Sequence, residues 1–109
     1  MNNEYEIIFC IVNAGFSDAV MEASRECGAS GGTVINARGT ASKESEEKFN
    51  ISIEPEKEIV MIIVKKEIKD NILHALYQKV GLQTPGQGIA FSTALDEVIG
   101  LSPITPTTK

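Results

Sequence analysis

The sequence contains no tryptophan, two cysteines and one histidine, and its acidic residues outnumber its basic ones. A net charge of −5 argues against nucleic acid as the main partner, because phosphate binding requires clustered lysine and arginine. Cys10 and Cys27 form neither a C-x-x-C pair nor a metal-ligand spacing, so we interpret them as reduced thiols and predict no metal site. A nucleophile elbow and an HExxH motif are also absent, and a single histidine supports no catalytic triad, so we expect no enzyme and no catalytic residues.

The sequence also lacks long apolar runs. The run Ile59–Val64 is far shorter than a membrane span, and the opening residues MNNEYE lack the basic region of a signal peptide. We therefore expect a cytoplasmic protein that does not insert into a membrane. A length of 109 residues predicts a single domain over residues 1–109.

Apolar periodicity and glycine positions predict four strands and two helices. The strands are Glu6–Val12, Thr33–Arg38, Glu58–Val64 and Ile89–Ser92; one helix is capped by Ser17 and stops at Gly28, and the other spans Ile68–Val80 before Gly81. The order strand, helix, strand, loop, strand, helix, strand is that of an α+β protein with a ferredoxin-like βαββαβ sandwich. Right-handed crossovers place both helices on one face of an antiparallel sheet.

The predicted strands are apolar on both faces, and the sequence shows no third helix to cover the second face. An oligomer that packs its sheet faces together is the natural solution.

Residues 40–57 differ from the rest of the chain because the stretch TASKESEEK is polar and highly charged. This composition predicts an exposed, mobile loop. Phe49, Ile51 and Ile53 alternate with polar residues, which predicts a short strand in the returning arm of the loop. The tail SPITPTTK, residues 102–109, is predicted to be flexible.

The stretch TPGQGIAF, residues 84–91, joins the second helix to the last strand. Glycines allow the backbone to approach a ligand closely and to direct N–H groups at an anion. Glycine and proline are equally typical of a simple connecting turn. The residues alone leave both interpretations open.

Several segments together resemble the P-II nitrogen-regulatory signal-transduction proteins. They are GGTVINARGTA at 31–41, PEKEIVMIIV at 55–64, TPGQGIAF at 84–91 and ALDEVIGL at 94–101. The resemblance implies a homotrimer that senses a small molecule at clefts between subunits and controls a target protein through a mobile loop. The target would be an enzyme, a transcription regulator or a membrane transporter, and nitrogen regulation is the implied context.

The resemblance also implies the residues of the site. The implied ligand-binding residues, for a nucleotide or another anion, are Thr33, Arg38, Gly39, Gly86, Gln87 and Gly88. Residues 40–57 become the effector loop, with Thr40, Ser42, Lys43, Ser45 and Phe49 as its candidate functional positions. No cofactor is required, and an adenine nucleotide (ADP, AMP or ATP) is the implied ligand.

The sequence departs from the family where cations are usual. Ile89 replaces a lysine, and Gly100 and Ser102 stand at about the positions of two arginines. Charge-assisted contacts carry much of the affinity for a triphosphate. We therefore expect weak nucleotide binding with little preference for ATP.

An alternative function is that of a cation-tolerance-like or structural trimer of the same fold that does not bind nucleotide. Metal binding by such a protein would require a cluster of metal ligands, which the sequence does not show.

Overall fold

The computed structural model describes residues 4–40, 43–50, 55–85 and 87–101. Its elements are β1 (Tyr5–Asn13), α1 (Ser17–Glu26), β2 (Thr33–Arg38), α2 (Lys43–Phe49), β3 (Glu56–Lys65), α3 (Lys66–Lys79) and β4 (Gly88–Ala94). The four strands form one antiparallel sheet in the order β2-β3-β1-β4. The predicted ferredoxin-like α+β fold is thus confirmed.

One face of the sheet forms the core with α1 and α3. Alternate residues of β1 and β3 point to this face, as the period of two in a strand requires. Ile8, Cys10, Val12, Val60, Ile62 and Val64 are buried there against Val20, Ala23, Ile72 and Leu76 of the two helices. Because β1 and β3 are the two central strands, the core lies beneath the middle of the sheet.

The second face of the sheet is apolar and is not covered by the described part of the chain. We call it the open face; its residues include Ile7, Phe9, Ile11, Ile35, Ile59, Met61, Ile63, Ile89 and Phe91. Ile89 is 58% exposed and Phe91 46% exposed, although the Phe91 ring stacks on Phe9 with centroids 5.3 Å apart. This face is the one that the sequence predicts an oligomer to cover.

The helix ends follow the glycine signals. Gly28 has a φ of 110°, and the Ala29 N–H donates to the Ser24 carbonyl while the Gly28 N–H donates to that of Arg25. These two bonds form a Schellman motif, which requires the left-handed conformation that glycine adopts readily. Gly81 follows α3 with a φ of 86°. Both predicted stops are therefore confirmed.

Two local predictions are wrong. The Ser17 side chain does not cap α1: the helix begins at Ser17, its N-cap residue is Phe16, and no local side chain accepts a bond there. Phe49 does not begin a strand, since the charged run forms the short helix α2, which ends at Phe49. Glutamate and lysine favour a helix once the chain supplies a stop, and Asn50, with a φ of 56°, provides one. Ile51 and Ile53 lie outside the described residues.

Candidate functional site

The predicted ligand-binding residues lie on the two edge strands of the sheet. Arg38 ends β2 and Gly88 begins β4, and two strands separate them. Both lie at the same end of the sheet, because Gly88 pairs with Val12, Val12 with Glu58, and Glu58 with Asn36. Three inter-strand steps place the two halves of the site about 14 Å apart within one chain. A single phosphate cannot contact both halves of one chain.

Thr33 is distant from Arg38 although both belong to β2. Thr33 pairs with Met61 on the open face, whereas Arg38, five positions later, points to the opposite face. The separation along the strand is about 17 Å. The structure therefore does not bring these two predicted ligand residues together in one chain.

The loop between β2 and β3 begins and ends at a narrow neck. The Gly39 N–H donates to the Pro55 carbonyl at 2.7 Å, and the Arg38 guanidinium lies 3.9 Å from the Glu56 carboxylate. Both side chains of this ion pair are mostly exposed, so the pair adds little stability. The neck leaves the Arg38 guanidinium accessible to a ligand.

Lys57 is a cation of this region that the sequence analysis missed. It pairs with Ala37 and Asn13 on the open-face side of the sheet, and its Nζ lies 2.6 Å from Oδ1 of Asn13. The Lys57 side chain lies over Gly39, where an added Cβ would be 3.0 Å from Lys57 Cε. The signal in the sequence was its spacing: Lys57 precedes Ile59 by two positions in β3, so the two side chains lie on the same face of the sheet.

The turn before β4 is held by its own hydrogen bonds. The Thr84 N–H donates to the Gly81 carbonyl at 2.9 Å, and the Gln87 N–H donates to the Thr84 carbonyl at 3.1 Å. The Gln87 side chain also turns inward, and Nε2 donates to the Val80 carbonyl at 3.2 Å. The backbone N–H and one of the two side-chain N–H groups of Gln87 are thus engaged within the chain. Gly86 lies outside the described residues.

Gly88 lies where the backbone of β4 passes close to β1. A Cβ at this position would come within 2.4 Å of the Ile11 carbonyl oxygen. No side chain fits there without moving backbone atoms. Packing within the chain therefore accounts for this glycine, whether or not a ligand approaches it.

The turn between β1 and α1 already binds an anionic group of the chain. Oε1 of Glu58 accepts hydrogen bonds from the N–H groups of Gly15 at 3.1 Å and Ser17 at 3.2 Å. A carboxylate of the chain itself thus lies at the positive N-terminus of α1 and accepts the first N–H of the helix.

A separate cleft of about 300 Å³ lies at the other end of the sheet. Its walls are mostly apolar and include Tyr5, Ile63 and Leu101, and the Lys65 ammonium lies 5.9 Å from the centre of the Tyr5 ring. Leu101 belongs to the segment that follows β4. The closing segment, which includes Gly100, is therefore remote from the TPGQG turn of the same chain.

The candidate positions of the effector loop are only partly described. Thr40 is exposed beyond the neck, Lys43, Ser45 and Phe49 belong to α2, and Ser42 lies outside the described residues. The described residues contain no cluster of metal-ligating side chains. Among the same residues, no helix is both long enough and apolar enough to cross a membrane.

Comparison with known proteins gives a family match over most of the chain. The family model described as nitrogen regulatory protein P-II matches residues 6–103. No curated protein matches the sequence.

Similar solved structures share the fold at low sequence identity. PII of Arabidopsis thaliana bound to citrate is 20% identical, with a TM-score of 0.69 over 92% of this chain and 82% of that one. The Bacillus subtilis GlnK–ATP complex is 16% identical, with a TM-score of 0.66 over 87% and 84%. CPII from Thiomonas intermedia K12, a nitrogen regulatory PII-like protein bound to ADP, AMP and bicarbonate, is 12% identical, with a TM-score of 0.66 over 84% and 89%.

Proposed function

This chain belongs to the nitrogen regulatory protein P-II family, and we propose from that premise that it is a signal-transduction protein without catalytic activity. In this proposal it binds a small anionic ligand at clefts between subunits of a homotrimer. An adenine nucleotide is the first candidate, since similar structures hold ATP in one case and ADP with AMP in another. The protein needs no cofactor beyond this ligand and acts in the cytoplasm.

The observation that carries the proposal is the position of the site residues on opposite edges of one sheet. In a ring of copies whose open faces point inward, the β2 edge of each copy meets the β4 edge of the next. Arg38 and Gly39 of one copy then come near the TPGQG turn of its neighbour. The ring also buries the apolar residues of the open face, which stabilises it.

The charges of the site favour a ligand with few negative groups. Arg38 and Lys57 supply positive charge near the neck, whereas Glu56 opposes it. Ile89 and Gly100 supply none. Each phosphate added to AMP therefore adds little binding free energy, and we expect the Kd for ATP to lie within about tenfold of the Kd for AMP.

Control of a target belongs to the loop over residues 40–57. Its neck at Gly39 and Pro55 lies beside Lys57 on one face of the sheet and Arg38 on the other, so a ligand that engages either cation acts on the base of the loop. Different arrangements of the loop would then block or free the target, which is an enzyme, a transcription regulator or a membrane transporter in nitrogen regulation.

Calorimetric titration with AMP, ADP and ATP tests the ligand. We expect all three to bind, and Arg38→Gln to weaken each of them by about tenfold or more, as the loss of a charged contact does. Arg25→Gln removes the same charge from an exposed position on α1 and should leave binding unchanged. Absence of binding by all three nucleotides, or equal effects of the two variants, would overturn the proposed nucleotide site.

A further inference from the structure

The Gln87 side chain is directed towards the end of α3. Its amide donates to the Val80 carbonyl, which belongs to the C-cap residue of that helix. Only Nε2 can donate to a carbonyl, so the chemistry fixes the orientation of the amide. The side chain also lies over Gly81, where an added Cβ would be 3.8 Å from Gln87 Cγ.

The end of α3 is an unfavourable neighbour for an anion. The last carbonyl groups of a helix have no partner within the helix, and together they carry a partial negative charge. The one basic residue of the last turn, Lys79, is paired with Glu26 at 2.7 Å. Among the described residues of the turn, Gln87 donates its amide to the Val80 carbonyl.

We propose that Gln87 is a positioning residue, which holds the turn against α3 and shields an anionic ligand from the helix terminus, rather than a residue that contacts the ligand. Three further features support it. The Gln87 N–H donates to the Thr84 carbonyl, the Thr84 N–H donates to the Gly81 carbonyl, and the backbone of Gly88 packs closely against β1. The side-chain amide adds a bond that joins this turn to the helix. The ligand part of this inference rests on the proposed function.

Variants at position 87 test whether the hydrogen-bond donor or the hydrogen-bond acceptor of the side-chain amide is required. Gln87→Met removes both, Gln87→Glu keeps only acceptors, and Gln87→Lys keeps only a donor. We expect the first two to weaken AMP binding by tenfold or more, with Gln87→Glu the weaker binder, and Gln87→Lys to retain binding. Gln78→Met, Gln78→Glu and Gln78→Lys, at an exposed position of α3, provide matched controls.

Amide exchange measured by NMR provides a readout that needs no ligand. Gln87→Met should accelerate exchange at Thr84 and at position 87 by tenfold or more, while the thermal unfolding midpoint stays close to that of the wild type. Unchanged exchange in Gln87→Met would overturn the positioning role even if nucleotides bind. If the wild type binds no nucleotide but exchange accelerates, the proposed function fails and the positioning role remains. Equal AMP affinity in the wild type, Gln87→Met and Gln87→Glu would overturn the effect on the ligand.

Discussion

The Lys57 ammonium lies 2.6 Å from Oδ1 of Asn13, and this bond joins the start of β3 to the end of β1 beside the neck of the loop. The amide oxygen fixes the direction of a long, flexible side chain without neutralising its charge. Lys57 is half-buried. A positive charge held in this way is better organised to bind an anion than a freely moving surface lysine.

Lys57→Gln should therefore reduce the affinity for AMP and ADP. Loss of a charge-assisted contact costs about 1.5–3 kcal/mol, or roughly 10- to 100-fold in affinity. Calorimetry on the variant measures this directly. Lys66→Gln, at an exposed position at the start of α3, removes the same charge far from the neck and serves as the control. Equal affinities for the two variants would show that Lys57 lies outside the site.

Glu58→Gln should destabilise the protein because Glu58 caps α1 from another strand. Its carboxylate accepts two backbone N–H groups, and an amide at this position removes the favourable charge at the helix N-terminus. We expect a loss of about 1 kcal/mol in the free energy of unfolding, as for other N-cap losses. Urea unfolding at fixed protein concentration measures it. Glu22→Gln, exposed on α1, should change stability much less.

Phe91→Glu should separate the proposed trimer. Phe91 is 46% exposed and stacks on Phe9 in the open face, where a buried carboxylate would have no partner. Light scattering should give three times the 11.8 kDa chain mass for the wild type and one chain mass for the variant. Tyr77→Glu places the same charge at a residue of α3 that is 54% exposed and should leave the trimer intact. A wild type of one chain mass at micromolar concentration would contradict the trimer itself.

The two thiols should react at very different rates. Cys10 is fully buried in the core, and this burial raises its pKa from 9.0 to about 12. Because the thiolate is the reactive form, a thiol reagent at pH 8 should modify the buried Cys10 only after unfolding, whereas the half-buried Cys27 should react in the folded protein. Cys27→Ser should then show almost no fast reaction. Rapid modification of the folded Cys27→Ser variant would contradict the buried position.

The same pKa predicts how Cys10 affects stability at high pH. The folded state holds the proton up to about pH 12, whereas the unfolded chain releases it near pH 9.0. Folding therefore binds protons in this interval, and the contribution of Cys10 to stability decreases as the pH rises above 9. Below pH 9 this contribution is constant. Urea unfolding of the wild type and Cys10→Ala between pH 8 and pH 10 should show a smaller decrease in the variant.

The sequence by itself determined the order of the elements of the sandwich, the apolar faces of the strands and the glycine-terminated helices. These features depend on local periodicity and local backbone preferences, which neighbouring residues encode. The sequence did not predict the helix formed by the run KESEEKF, because charged residues of this kind are typical of both a loop and a short helix. Family membership also followed from the order of segments along the chain.

Only the tertiary structure decided which residues meet. Glu58 caps a helix that begins 41 positions earlier, and Lys57 bonds to Asn13 across 44 positions, so no local pattern indicates either pair. The strand order placed Arg38 and Gly88 on opposite edges of the sheet. Strand pairing and packing determine such contacts between residues far apart in sequence, whereas the sequence pattern specifies only which face each residue occupies.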